Sequence, residues 1–329
     1  MGERESEGVY LITGGASLIG SHIADCLLAS GARQVRLLDN YSLGTPSTIA
    51  HLSGDTRVKR MRGDILRLPD LLEASEGVDG VFALAGFLTL PMSQDPITGL
   101  SVNTLGMANT LEACRFAKVR RVVFSSSVAV YGNASTFPIV EETGYVSAGL
   151  QPPSQLYGAS KLLGEAVCAR YAKAYGVQFN ALRFASVYGE RQHGRAVNAV
   201  FVAQVCEQVR RGEAPLIEGD GSEVHDYVYV TDVASACVLA MHSASHGHCI
   251  NIATGIDTTS TQVAQIALRL CGRGDLKAQY CEDRRAVRSA AGTRLGFSRE
   301  KAAREIGWEP QVNMEEGMRR LIVWQRTQD

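Results

Sequence analysis

The chain has no excess of either charge. Its 33 Lys and Arg stand against 34 Asp and Glu, a formal net charge of -1 over 329 residues. That balance gives no field to draw in nucleic acid or an acidic membrane surface. No apolar run approaches the ~20 residues that a membrane-crossing helix needs. The opening residues, Met1 to Glu7, are charged and lack an apolar signal core, so they read as a short frayed leader before the first strand. Cysteine pairs at C-x-x-C spacing are also missing. The 8 cysteines, Cys26, Cys114, Cys168, Cys206, Cys237, Cys249, Cys271 and Cys281, are scattered, most of them in apolar, helix-like surroundings. They read as inert reduced thiols of a cytoplasmic protein. His242, His246 and His248 lie close together, but no cysteine or carboxylate joins them at ligand spacing. We read a helix end there, and expect no metal. The sequence shows no internal repeat, low-complexity tract or long linker.

What is present is an alternation. Hydrophobic residues make up 45% and charged residues 20%, as in ordinary globular enzymes with a large core. Short β-branched runs are predicted as strands at Val9–Thr13, Val35–Asp39, Val58–Arg62, Val81–Ala85, Arg121–Ser125 and Phe179–Phe184. Between them, residues 18–30, 101–117 and 155–175 follow a helical period, with Gly31 as a natural end signal. Strand and helix in alternation predict an α/β fold, a Rossmann-type doubly wound parallel sheet. We expect this sheet domain to span 8–184, with 224–254 returning to it. Residues 185–329 should mainly form a smaller C-terminal substrate-binding lobe. There Val224–Val230 and Cys249–Ile252 read as strands and 232–242 as a helix. Ser298 and Asn313 each read as a helix opener, Asn313 with Glu316 three residues on.

The turn after the first strand reads Thr13-Gly14-Gly15-Ala16-Ser17-Leu18-Ile19-Gly20. Glycines after a strand and before a helix let the backbone meet a pyrophosphate at the helix N-terminus, where free N–H groups and the positive dipole end converge. Asp39 ends the second strand about 20 residues on, where a carboxylate binds both ribose hydroxyls and repels a 2′-phosphate. The expected cofactor is therefore NAD and not NADP.

Tyr157 and Lys161 are four residues apart on a predicted helix, so they share one face. An unperturbed tyrosine, with a pKa near ~10, is a poor base at neutral pH. A nearby ammonium favours the phenolate, which can take a proton from a substrate hydroxyl as hydride leaves the same carbon. Ser127 follows the Arg121–Ser125 run and is placed to hydrogen-bond the reacting oxygen. Ser127, Tyr157 and Lys161 are the candidate catalytic residues.

With these pieces in this order, the chain resembles the extended short-chain dehydrogenase/reductases, and among them the NAD-dependent nucleotide-sugar epimerase/dehydratase group. The likeness runs over nearly the whole length. It includes Arg62-Gly63-Asp64-Ile65, Ala83-Leu84-Ala85-Gly86, Asn103, Val130-Tyr131-Gly132, the run Leu182 to Gly189, Gly219 to Ser222, Asp226 to Asp232, and Gly307 to Pro310. The resemblance implies a cofactor set of Gly14, Ser17, Leu18, Ile19, Gly20, Asp39, Asn40, Asp64, Ile65, Leu84, Ala85, Gly86 and Asn103, with Tyr157 and Lys161 reaching the nicotinamide ribose. It also implies a homodimer paired through helices 101–117 and 155–175.

Family members that remove water usually carry an acid pair after the serine or threonine of the serine strand. Here Val128 and Ala129 follow Ser127, so the pattern is more similar to UDP-sugar 4-epimerases. Their cycle oxidises C4, turns the keto sugar, and returns the same hydride to the other face. Three positions depart from the family pattern. Ser17 replaces a glycine, and would be strained only if its φ were positive. Ser186 replaces an asparagine that contacts the sugar nucleotide. His225 replaces an arginine that clamps a phosphate, and histidine cannot make a bidentate fork. Arg288 matches the second phosphate arginine, although the aspartate that usually follows is missing from the stretch Ala290 to Thr293. The substrate set is thus Ser127, Ser186, His225 and Arg288. The leading expectation is a nucleotide-sugar 4-epimerase. A net NAD-dependent dehydrogenase and a non-catalytic NAD-sensing protein remain the alternatives.

Overall fold

Val9–Thr13 is buried at every position, as a strand covered by helices on both sides must be. It is β1, the centre of the main sheet in this computed structural model, which describes residues 7–192, 200–283 and 294–328. The expected leader therefore falls largely outside the described residues. The sheet continues with β2 (Gln34–Asp39), β3 (Val58–Arg62), β4 (Gly80–Ala83), β5 (Arg121–Ser127) and β6 (Gln178–Phe184). The substrate half adds β7 (Ser186–Tyr188), β8 (Leu216–Glu218), β9 (Val224–Tyr229), β10 (His248–Ile252), β11 (Asp257–Thr259) and β12 (Gln279–Cys281).

Seven strands form the main sheet in the order β10-β6-β5-β4-β1-β2-β3, and every pairing is parallel. Strand order reverses between β1 and β4, so a crevice opens beyond their C-terminal ends. One buried cluster joins helices Leu18–Ala29 and Val230–His242 to one sheet face. A second joins helices Leu68–Ser75, Met107–Ala117 and Pro152–Tyr175 to the other. The fold is therefore Rossmann-type and doubly wound. From the 224–254 segment, β10 enters the main sheet beside β6, whereas β9 lies between β7 and β11 in a separate three-stranded sheet. A third core joins helices Val200–Arg210, Ser260–Leu270 and Met314–Arg326.

Several expected boundaries move. β4 stops at Ala83, and after Leu84 N–H bonds the Thr13 carbonyl at 3.2 Å the chain leaves the sheet. The helix expected over 101–117 has a π turn at Ser101–Gly106 before its α part. Ser298 lies one residue before the N-cap, which is Arg299. Asn313 caps its helix by accepting from Glu316 N–H at 2.9 Å. The Glu316 carboxylate turns instead to Arg319 and Arg320.

Two aspartates of the 226–232 run serve as latches. Asp226 accepts from the Thr254 and Gly255 amides at 2.8 and 2.7 Å. Asp232 accepts from Gln311 and Val312 N–H, both at 2.9 Å, while the Trp308 indole donates to its carbonyl at 2.8 Å. All 8 cysteines are free thiols: Cys114, Cys168, Cys206 and Cys237 are buried, and Cys281 is exposed.

Candidate active site

Gly14 turns the chain out of β1 with φ of +70°, and a Cβ there would meet Ala85 N at 2.9 Å. Only glycine suits both the left-handed backbone and that approach. Ser17 then caps helix Leu18–Ala29 with φ of -95°, an extended backbone that serine adopts without strain. Its hydroxyl accepts from Gly20 N–H at 3.1 Å and keeps its own proton to give. Leu18 and Ile19 open the helix and pack into the core. Asp39 ends β2 and accepts from the amides of Ala16 at 2.9 Å and Tyr41 at 2.8 Å. Asn40 donates to Asp64 at 3.1 Å.

An open cleft runs along these residues, lined by Gly14, Ser17, Asp39, Asn40, Asp64, Ile65, Leu84, Ala85 and Gly86. Nine predicted cofactor residues thus share one wall. The cleft also takes in Gly44, Phe87 and Val102, which the sequence reading missed. Gly44 carried a usable signal, a glycine in the turn just past Asp39. A Cβ there would stand 2.8 Å from an Asp39 carboxylate oxygen.

Asn103 is 4% exposed within the π turn. Its side chain accepts from Phe87 N–H at 2.7 Å, donates to Phe87 O at 3.0 Å, and donates to Ser160 at 3.1 Å. It therefore fastens the segment after β4 that lines the cleft to the helix that carries Tyr157. A Cβ on Gly86 would lie 3.2 Å from the Asn103 oxygen and 3.4 Å from Lys161 Nζ, so the cleft runs on towards Lys161.

Helix Pro152–Tyr175 begins with Pro in its first turn and ends at Gly176 in the left-handed region, the usual start and stop signals. Gly158 lets it close on the turn after β5, since a Cβ there would sit 2.5 Å from the Ala129 carbonyl oxygen. Tyr157 is 4% and Lys161 6% exposed. Burial pushes the Tyr157 phenol up to about 12, and a hydrogen bond from Ser127 pulls it back. Burial brings the Lys161 ammonium down to about 8, against the opposing charge of Glu165. Lys161 Nζ donates to the Ser125 carbonyl at 2.8 Å and lies 5.8 Å from the centre of the Tyr157 ring. Ser127, Tyr157 and Lys161 therefore meet at the end of β5.

Ser186 on β7 and His225 on β9 are joined at 3.2 Å through Nδ1, and His225 Nε2 lies 3.1 Å from Glu223. Arg288 lies outside the described residues. Sequence reasoning also missed the buried Glu165–Arg183 pair. Its signal was an acid one helical turn after Lys161.

The donor set fits a dinucleotide: a glycine cradle, a helix N-terminus, and a carboxylate at the end of the second strand. Comparison with known proteins agrees. Residues 10–253 match the NAD dependent epimerase/dehydratase family. A UDP-glucose 4-epimerase of Mycolicibacterium smegmatis is 33% identical over 324 residues, covering 96% of this chain and 98% of the relative. The structure of a Thermotoga maritima UDP-glucose 4-epimerase with UDP-glucose superposes with a TM-score of 0.85 at 29% identity, covering 97% of this chain and 99% of the other. A Thermus thermophilus UDP-glucose 4-epimerase in complex with NAD gives 0.81 at 32% identity, covering 97% and 99%. In fold, glycine turn and matched sequence, the chain belongs to the NAD dependent epimerase/dehydratase family.

Proposed function

We propose that the chain is an NAD-dependent epimerase of a nucleotide sugar acting at C4. The observation that carries this reading is the meeting of Ser127, Tyr157 and Lys161 at the end of β5, beside the cleft at the β1/β4 switch point. NAD, when bound, accepts a hydride and later returns it. Gly14, Ser17 and Gly20 would hold its pyrophosphate, with Leu18 and Ile19 opening the helix beneath it. Asp39 and Asn40 would hold the adenosine ribose, and Asp64 and Ile65 the adenine. Leu84, Ala85 and Gly86 would line the remaining wall, with Asn103 fastening it and Tyr157 and Lys161 closing the far end.

Tyr157 takes the proton of the C4 hydroxyl and gives it back after the sugar has turned. Ser127 donates a hydrogen bond to the same oxygen and steadies its charge. Lys161 supplies the cation that favours the phenolate. Val128 and Ala129, in the tight turn after Ser127, offer no acid or base for removing water, which separates this reading from a dehydratase. Ser186 and His225, with Arg288, are assigned to the substrate. The unstrained backbone of Ser17 withdraws one argument for a loosely held cofactor, and with it support for a net dehydrogenase. A substrate deuterated at C4 tests the choice. An epimerase returns product with the label at C4, whereas a net dehydrogenase loses it to the reduced cofactor.

A homodimer belongs to the same proposal. Leu105, Phe116, Leu163 and Tyr175 are 53%, 56%, 48% and 52% exposed on the two helical segments assigned to pairing. The free thiols suit a reducing compartment, and the cytoplasm is the proposed location. No described helix is long and apolar enough to cross a membrane.

A further inference from the structure

We propose that Glu165 is a positioning residue for the Tyr157–Lys161 pair, its carboxylate fixed by Ser126 and Arg183 one helical turn beyond the lysine. This inference rests on the catalytic reading given above.

Positions 157, 161 and 165 recur every four residues and so share a helix face. That face meets three consecutive serines of β5. Ser127 bonds Tyr157, the Ser125 carbonyl accepts from Lys161 at 2.8 Å, and the Ser126 hydroxyl donates to Glu165 Oε1 at 2.5 Å. Ser126 and Arg183 are register partners on β5 and β6, so both stand beside the same carboxylate. Arg183 donates through Nε to Oε1 at 2.9 Å and through Nη2 to Oε2 at 2.8 Å, a bidentate pair. Its Nη1 donates to the Tyr131 hydroxyl at 2.9 Å and the Glu141 carbonyl at 2.8 Å. Glu165 and Arg183 side chains are only 8% and 9% exposed.

A buried ion pair is a weak source of stability, because desolvation offsets the attraction. This one has a second consequence: a negative charge held in place beside a buried ammonium. Among the described residues, the titratable and charged groups around it include Tyr157, Lys161 and Cys168 on its own helix, Arg183 on β6, Tyr131 and Glu141 after β5, and Cys249 on β10. Of these groups, Glu165 opposes the effect of burial on Lys161. The pair therefore offsets part of the burial that works against the Lys161 charge, on the helix face where Tyr157 needs a cation.

The chain has only six lysines, so Lys161 can be followed by NMR of protein labelled with 13C-lysine and saturated with NAD, its signal assigned by its loss in Lys161→Arg. In Glu165→Gln the midpoint of Lys161 deprotonation should fall by roughly one pH unit. The alkaline limb of the epimerisation rate should move down with it. Glu165→Asp keeps a partner for Arg183 and should fall between wild type and Gln, which preserves the test if the Gln variant does not fold. An unmoved Lys161 midpoint in the folded variants, with any loss of rate uniform across pH, would overturn the proposal. The NMR titration needs no substrate, so its result stands even if the proposed reaction is wrong.

Discussion

The Ser186 hydroxyl lies 3.2 Å from Nδ1 of His225, so two departures from the family's usual residues form one hydrogen-bonded pair. The expected consequence is coupling. Ser186→Asn and His225→Arg should change KM for the nucleotide sugar non-additively, by about 0.5–3 kcal/mol in a double-mutant cycle. Additivity within about 0.5 kcal/mol would separate the two positions.

Ser17 acts as a helix cap, accepting from Gly20 at 3.1 Å. Ser17→Ala should cost about 1 kcal/mol of stability and Ser17→Gly only a few tenths. Urea denaturation measures both. A stabilising Ser17→Gly would contradict the unstrained backbone at this position.

Tyr157→Phe removes the base but keeps the buried ring. kcat should fall about 10²–10⁴-fold while the Kd for NAD, read by titration calorimetry, changes little. A variant that keeps wild-type turnover would remove Tyr157 from the mechanism.

The pH profile follows from Lys161, whose ammonium burial brings down to about 8. Below that pH the side chain is a cation and supports the Tyr157 phenolate. Above it the charge is lost, so kcat should decline as pH rises through about 8. A rate that climbs through that pH and levels only where Tyr157, pushed up by burial to about 12, loses its own proton would show that the phenolate forms without the lysine charge.

Leu163 is 48% exposed on the helix that carries Tyr157. If that face pairs two subunits, Leu163→Glu should shift the species in sedimentation from dimer to monomer. A wild-type protein that sediments as a 35.4 kDa monomer at every concentration would end the dimer proposal.

The parts of this molecule that were readable in the sequence are those governed by near neighbours in the chain. The apolar run before Gly14, the glycine turn and the end of helix Leu18–Ala29 near Gly31 each follow from local geometry. Asp39 was legible because it closes a strand at a fixed remove from that turn. The Glu165–Arg183–Ser126 cluster was not. Its partners lie 18 and 39 residues apart in sequence, and only the register of β5 with β6 brings them together. The role of Asn103 was hidden for the same reason. Its amide serves Phe87 and Ser160, 16 and 57 residues away, inside a π turn that helical periodicity does not announce. The end of β4 at Ala83 was missed because Leu84 and Ala85 are as apolar as the strand, yet they line the cleft.

The most direct test is proton NMR of the purified protein with UDP-, dTDP- and GDP-sugars and no added NAD. The account predicts the C4 stereoisomer of one of these sugars, formed by cofactor that co-purifies with the protein. No isomer from any of them, together with reduced cofactor accumulating once NAD and an alcohol are supplied, would contradict it and make the chain a net dehydrogenase.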